Sequence, residues 1–297
     1  MTKEYSWMLG PLEKAAEANP CLVPNAVSRF FCPVLEKDLG WEAKDVFNPA
    51  AVVKDDRVYL LYRAEDHEGK YAGTSRIGLA VSDDGLHFTT IPEPVLYPEK
   101  DEFSVYEWEG GCEDPRIVET KDGRYFLYYT SYNGKVALLC CAESTDLVHW
   151  KKHGPIFKDA MNGKYKNLWS KSGAVVCRQE GDHFYPVKLK ETYWMYWGES
   201  DIYAATSDDL IHWTPVEFLA DGADPSHSFS QHDSRCKNND EVARVLLPII
   251  RPRVGNYDEF LCEPGPQAIL TDAGIVLIYN GKGNNPERLG GHDTMYQ

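Results

Sequence analysis

The chain has 297 residues and a formal net charge of −15, an acidity that excludes a nucleic-acid partner, because phosphate binding needs a positive field. No apolar run approaches the ~20 residues of a membrane-spanning helix, and the Met1–Trp7 start lacks the basic-then-apolar order of a secretory signal, so no membrane partner and a cytoplasmic residence are expected. With 18 Tyr, 11 Phe, 8 Trp, 23 Gly and 18 Pro, the composition predicts many short strands and turns rather than a helical bundle.

In chain order, the first strand is read at Asn48-Pro49-Ala50-Ala51-Val52-Val53 and the second at Tyr59-Leu60-Leu61-Tyr62. A third runs from Ile77 to Val81 and enters the turn Ser82-Asp83-Asp84-Gly85-Leu86-His87-Phe88. The same order then recurs: Asp114-Pro115-Arg116-Ile117-Val118, Tyr125-Phe126-Leu127-Tyr128, Val136 to Cys141, and the turn ending His149-Trp150. A third copy starts at Lys171-Ser172-Gly173-Ala174-Val175-Val176, continues through Tyr193-Trp194-Met195-Tyr196 and Ile202 to Thr206, and ends at His212-Trp213. A fourth begins at Gly265-Pro266-Gln267-Ala268-Ile269-Leu270 and Val276-Leu277-Ile278-Tyr279. The three turn histidines are 62 and 63 residues apart. Antiparallel four-stranded units repeated at about 60 residues read as the blades of a β-propeller. The Ser and Asp of each turn are expected to satisfy its N–H groups, which makes the three histidines structural.

Function is expected where equivalent positions carry different polar groups. Asn48, Asp114 and Lys171 align at one repeat position, and the ends of the second strands carry Arg63 and Glu199. Glu263 precedes the fourth inner strand, between Cys262 and Pro264. In Glu109-Gly110-Gly111-Cys112-Glu113-Asp114-Pro115-Arg116 the two glycines permit close backbone approach. There Asp114 is predicted to point inward and Glu113, by the strand period of two, away; Arg116 is placed to clamp either acid. Trp108, Trp169 and Trp197 lie near these positions and suit the C–H face of a sugar ring or, equally, core packing. The eight Cys show no Cys-x-x-Cys pair and no His at zinc spacing, so free thiols, no metal and no cofactor are expected.

The runs Val46-Phe47-Asn48-Pro49-Ala50-Ala51, Leu61-Tyr62-Arg63-Ala64-Glu65-Asp66, Glu113-Asp114-Pro115-Arg116, Trp169-Ser170-Lys171-Ser172-Gly173-Ala174 and Glu263-Pro264-Gly265-Pro266 resemble glycoside hydrolase family 130. The resemblance implies an all-β, five-bladed β-propeller acting on β-mannosides by inversion, as a phosphorylase or a hydrolase. It implies Asp114 as general acid, relayed through a hydroxyl of the bound mannose. Asn48, Arg63 and Lys171 match residues that hold that mannose, with Arg76, Arg116 and Asp293 as further candidates. Where phosphorylases of the family tend to carry a His-Arg-Pro run and small apolar residues, this chain has Glu199 and Glu263. That resembles the hydrolytic, β-1,2-mannoside branch, with these two Glu as the base and its partner in undecided order. Two rivals stay open: a phosphorylase using Lys171, Arg116, Arg235, Arg251 and Arg253 on phosphate, and a non-catalytic sugar-binding propeller. One catalytic propeller is expected over residues 1–297, with segment 1–45 helping to close the ring and the last residues falling inside an incomplete fifth blade.

Overall fold

The computed structural model describes residues 13, 15–71, 73–217, 246, 248–283, 295 and 296. It is an all-β architecture; the described residues hold one α-helical turn, α1 (Ser104–Glu107). A short hairpin of β1 (Phe30–Cys32) and β2 (Lys37–Leu39) comes first. The first meander is β3 (Asp45–Lys54), β4 (Arg57–Glu65), β5 (Ser75–Ser82) and β6 (Thr89–Thr90). The second is β7 (Gly111–Glu119), β8 (Tyr125–Tyr132), β9 (Ala137–Ser144) and β10 (Lys151–Pro155). In the third, β11 (Ala174–Glu180) is followed by the added strands β12 (His183–Pro186) and β13 (Lys188–Leu189), then by β14 (Thr192–Trp197), β15 (Tyr203–Ser207) and β16 (Trp213–Pro215). The last group comprises β17 (Leu261–Pro264), β18 (Ala268–Thr271), β19 (Gly274–Val276), β20 (Tyr279–Gly283) and β21 (Met295–Tyr296).

Within each meander the neighbours pair antiparallel, but β5 of the first meets β7 of the second, and β11 of the third meets β18 of the last group, through short parallel contacts. Ser75 pairs with Gly111, and Val176 and Cys177 pair with Ala268 and Ile269. The first of these junctions explains one glycine. Gly111 sits at φ +111, and a Cβ there would lie 2.1 Å from the Ser75 carbonyl oxygen.

Side chains fill the spaces between meanders. Leu61, Ile77 and Leu79 of the first pack with Leu127, Tyr129 and Leu138 of the second. Phe126, Tyr128 and Leu139 pack with Val175, Met195 and Trp213 of the third. The β1–β2 hairpin and Trp41 close over Leu60, Tyr62 and Ala80 of the first meander. Each large side chain buried this way contributes roughly 1.5–3 kcal/mol. Six described cysteines, Cys32, Cys112, Cys140, Cys141, Cys177 and Cys262, are free and buried, serving as small hydrophobes in strands, while Cys21 is exposed.

The three Ser-x-Asp-x-x-His turns are built alike. Asp84 Oδ1 accepts from the N–H groups of Leu86 (2.9 Å) and His87 (2.8 Å), and its Oδ2 meets His87 Nδ1 at 2.7 Å. Asp146 with His149, and Asp209 with His212, repeat the pattern. These histidines are exposed parts of turns, and none of them lines the cavity bounded by the inner strands.

The same irregularity interrupts the inner edge of the first three meanders. Asn48 and Pro49 together oppose Tyr62, and Asp114 and Pro115 together oppose Tyr129. Gly198 N–H donates to the Lys171 carbonyl at 2.9 Å while Ala174 pairs with Tyr196, so Ser172 and Gly173 oppose Trp197. Each is a β-bulge, two residues against one. The first bulge residue is left-handed every time: φ is 47° at Asn48, 49° at Asp114 and 53° at Ser172. Asn and Asp tolerate that conformation, and a following Pro or Gly suits a position whose ladder bond is lost.

Candidate active site

Asn48 and Asp114 of the first two bulges, and Lys171 just before the third, line one cavity of about 1000 Å³, bounded by β3, β7, the approach to β11, and the β17–β18 segment. Asn48, Arg63, Asp114, Arg116, Lys171, Glu199 and Glu263 all line it. Residues as far apart in sequence as Asn48 and Glu263 therefore share one space, including the three carboxylates expected to act together.

Asp114 is almost fully buried and is held from three directions. Asn48 Nδ2 donates to its Oδ1 at 2.7 Å, Arg63 Nη1 stands 3.1 Å from the same oxygen, and Lys171 Nζ lies 3.2 Å from Oδ2. Burial alone would raise this carboxyl; Lys171, Arg63 and the Asn48 amide outweigh it and hold Asp114 well below the usual carboxylate range. Arg63 is itself fixed by Glu65 Oε1 (2.6 Å) and Ser75 Oγ (2.9 Å), and its guanidinium lies over the Phe47 ring at 4.7 Å.

Lys171 faces four acids. Burial would lower its ammonium, but Asp114, Glu199, Glu113 and Glu263 together raise it above its ordinary value. Glu263 accepts the hydroxyl proton of Ser172 at Oε1. Burial raises the Glu263 carboxyl, against the opposing pull of that hydroxyl, Arg116 and Lys171. Glu199 Oε2 accepts from Trp169 Nε1 at 3.1 Å. Among the described residues, no cluster of His, Cys, Asp or Glu is arranged to hold a metal ion.

Several placements differ from the sequence reading. The hydrogen-bond register puts Ser172, not Lys171, at the position of Asn48 and Asp114. Lys171 stands one residue earlier, where the other meanders carry Phe47 and Glu113. Glu113 does not point away: the bulge after it breaks the period of two, and its Oε2 lies 3.2 Å from Arg63 Nη1 and 3.6 Å from Lys171 Nζ. Arg116 clamps neither acid. It donates to the carbonyls of Pro115 (3.0 Å) and Pro264 (3.2 Å), tying β7 to the end of β17.

Arg76 lies outside the cavity. It is fully buried in an ion pair with Asp66 at 2.7 Å, donates to the Thr74 carbonyl at 3.1 Å, and has the Cys32 thiol at 3.7 Å. Its role is to anchor the loop before β5 to the β1–β2 hairpin. Trp197 is buried against Phe157 and Tyr203, so it presents no face to a sugar. Neither Trp108 nor Trp169 lines the cavity, although Trp169 reaches it through Glu199. Arg251 and Arg253 do not line the cavity either, and Arg253 is committed to Asp258 at 2.9 Å. Asp293 and Arg235 lie outside the described residues.

Comparison with known proteins gives a consistent set of likenesses. The family model described as beta-1,4-mannooligosaccharide phosphorylase, Glyco_hydro_130, matches residues 25–233. A beta-1,2-mannobiose phosphorylase of Thermoanaerobacter sp. (strain X514) is 35% identical over 157 residues, 45% of this chain and 50% of that protein. The chain thus matches half the length of this relative. The crystal structure of a glycosyl hydrolase from Bacteroides ovatus is 41% identical, with a TM-score of 0.84 over 96% of this chain and 74% of that one. Another solved structure comes from a study of the GH130 family of mannoside phosphorylases, described as containing glycoside hydrolases that target β-1,2 mannosidic linkages in Candida mannan. It is 39% identical, with a TM-score of 0.84 over 94% of this chain and 72% of that one.

Proposed function

The chain belongs to glycoside hydrolase family 130, and on that premise we propose that it is an inverting, exo-acting β-mannosidase that hydrolyses β-1,2-linked mannosides within a five-bladed β-propeller. The observation that carries this reading is the pair Glu199 and Glu263 on the wall of the cavity that also holds Asp114. A phosphorylase needs a cationic pocket for a phosphate dianion. Here Arg116 and Lys171 both act on Glu263 and Lys171 also on Glu199, but Lys171 already serves Asp114 and Glu113 at 3.2 and 3.6 Å. Two further carboxylates there repel phosphate and suit the activation of a water.

The roles follow from the chemistry. Inverting hydrolysis needs an acid that protonates the leaving oxygen and a base that takes a proton from water on the opposite face of the sugar. Asp114 is the acid, acting through a mannose hydroxyl. Asn48, Arg63 and Lys171, already bonded to Asp114, hold the hydroxyls around it. Glu263 is the base: burial raises its affinity for a proton, which a base needs at the moment of transfer. Glu199, fixed by the Trp169 indole, orients the water.

The test is incubation with β-1,2-mannobiose, with and without inorganic phosphate. The reading expects mannose in both tubes at equal rates. Formation of mannose 1-phosphate only in the phosphate tube would replace it with the phosphorylase reading.

A further inference from the structure

We infer that Glu113 is a positioning residue for Asp114: it is a second carboxylate set on the same two cations, and it tunes the acid by competing for them. The inference rests on the reading of Asp114 as the general acid. The geometry is specific. Arg63 Nη1 stands 3.1 Å from Asp114 Oδ1 and 3.2 Å from Glu113 Oε2, so one nitrogen is shared nearly equally. Lys171 Nζ divides itself similarly, 3.2 Å from Asp114 Oδ2 and 3.6 Å from Glu113 Oε2. An ordinary strand would send two consecutive side chains to opposite faces. The bulge at Asp114 and Pro115 cancels that alternation and brings both acids to one side.

The groups facing Glu113 are few. β4 supplies Arg63 and Glu65, the approach to β11 supplies Lys171, and β7 itself supplies Asp114. Two cations therefore serve two adjacent carboxylates, with Glu65 also drawing on Arg63 at 2.6 Å. Burial, then the neighbouring acids, push Glu113 above the usual range, while Asp114 is held below it. As the pH falls, the first proton taken up by the pair goes to Glu113. An ionised Glu113 shares the positive charge of Arg63 and Lys171. Without that competition both cations would act on Asp114 alone, binding it more firmly as a carboxylate and making it a poorer source of the proton that the leaving group needs.

Two measurements test this. Glu113→Gln keeps the size of the side chain and removes its charge, so the alkaline limb of kcat, which reports the substrate-bound chain, moves to lower pH by about one unit, roughly a tenfold loss above the limb. Glu113→Asp, which keeps the charge, leaves the limb in place. A merely structural Glu113 would lower kcat equally at every pH and leave the limb unmoved, which overturns the inference. The second measurement does not depend on turnover. A carbon-13 NMR titration of the Glu113 carboxyl shows its midpoint falling by about one unit or more when Asp114→Asn frees the two cations, and an unmoved midpoint likewise overturns it. If that midpoint falls in a chain that cleaves no mannoside, the assigned function fails while the carboxyl pairing stands.

Discussion

Replacing Ser172 by Ala separates the two glutamates. Ser172 is completely buried, and its hydroxyl donates to Glu263 Oε1. Its φ of 53° is as costly for Ser as for Ala, so Ser172→Ala removes one hydroxyl and little else. A hydrogen bond to a charged group contributes about 1.5–3 kcal/mol, and one unit of pKa corresponds to about 1.4 kcal/mol. Losing the donor therefore raises the Glu263 carboxyl by about 1–2 units. The sign is fixed by the direction of the existing shift: burial raises Glu263, the Ser172 hydroxyl opposes it, and without that hydroxyl burial acts with less restraint. A base must be ionised to accept a proton. The acid limb of kcat, which reports the substrate-bound chain, should consequently move up by about 1–2 units, with activity recovered at higher pH. The assay is initial-rate hydrolysis of β-1,2-mannobiose across the pH range for the unmodified chain and the variant. An acid limb that stays in place while activity falls uniformly would refute Glu263 as the base and transfer that role to Glu199.

Asp114→Asn should reduce turnover of β-1,2-mannobiose by at least about a hundredfold, the contribution expected of a positioned acid, while calorimetry still detects mannoside binding through Asn48, Arg63 and Lys171. Arg76→Met leaves Asp66 as a buried charge without its cation; chemical denaturation should show a loss of about 3–5 kcal/mol, and KM should be unchanged because Arg76 does not reach the cavity. Gly111→Ala forces a Cβ against the Ser75 backbone at a left-handed φ. It should destabilise the chain by about 3 kcal/mol, seen in the same denaturation experiment.

The repeated turns were legible because their chemistry is local. Ser, Asp and His two to five residues apart satisfy one another and the intervening N–H groups, so each copy retains the same letters. The alternation of aromatic and β-branched residues marked the inner and second strands for the same reason. Long-range register was not legible. Between Lys171 and Gly198 the chain inserts β12 and β13, and counting from the other units cannot place a bulge across that insertion. The telling letters were the dipeptides Asn48-Pro49, Asp114-Pro115 and Ser172-Gly173: a short polar residue at a left-handed φ, followed by one that tolerates a lost ladder bond. Aligning on them would have identified Ser172. Glu113 was missed because a period-two argument fails wherever a bulge intervenes. Arg76 was misplaced because its partners, Asp66 and Cys32, come from a loop and from a hairpin outside the repeat.

The reading as a whole makes water, not phosphate, the reactant opposite Asp114. Time-resolved proton NMR of β-1,2-mannobiose turnover reports both the reactant and the stereochemistry. The account predicts that α-mannopyranose is the first anomer to appear in phosphate-free buffer, at a rate that added phosphate does not increase. A chain that stays inert until phosphate is added and then yields mannose 1-phosphate, or one that releases the β-anomer first, would contradict it.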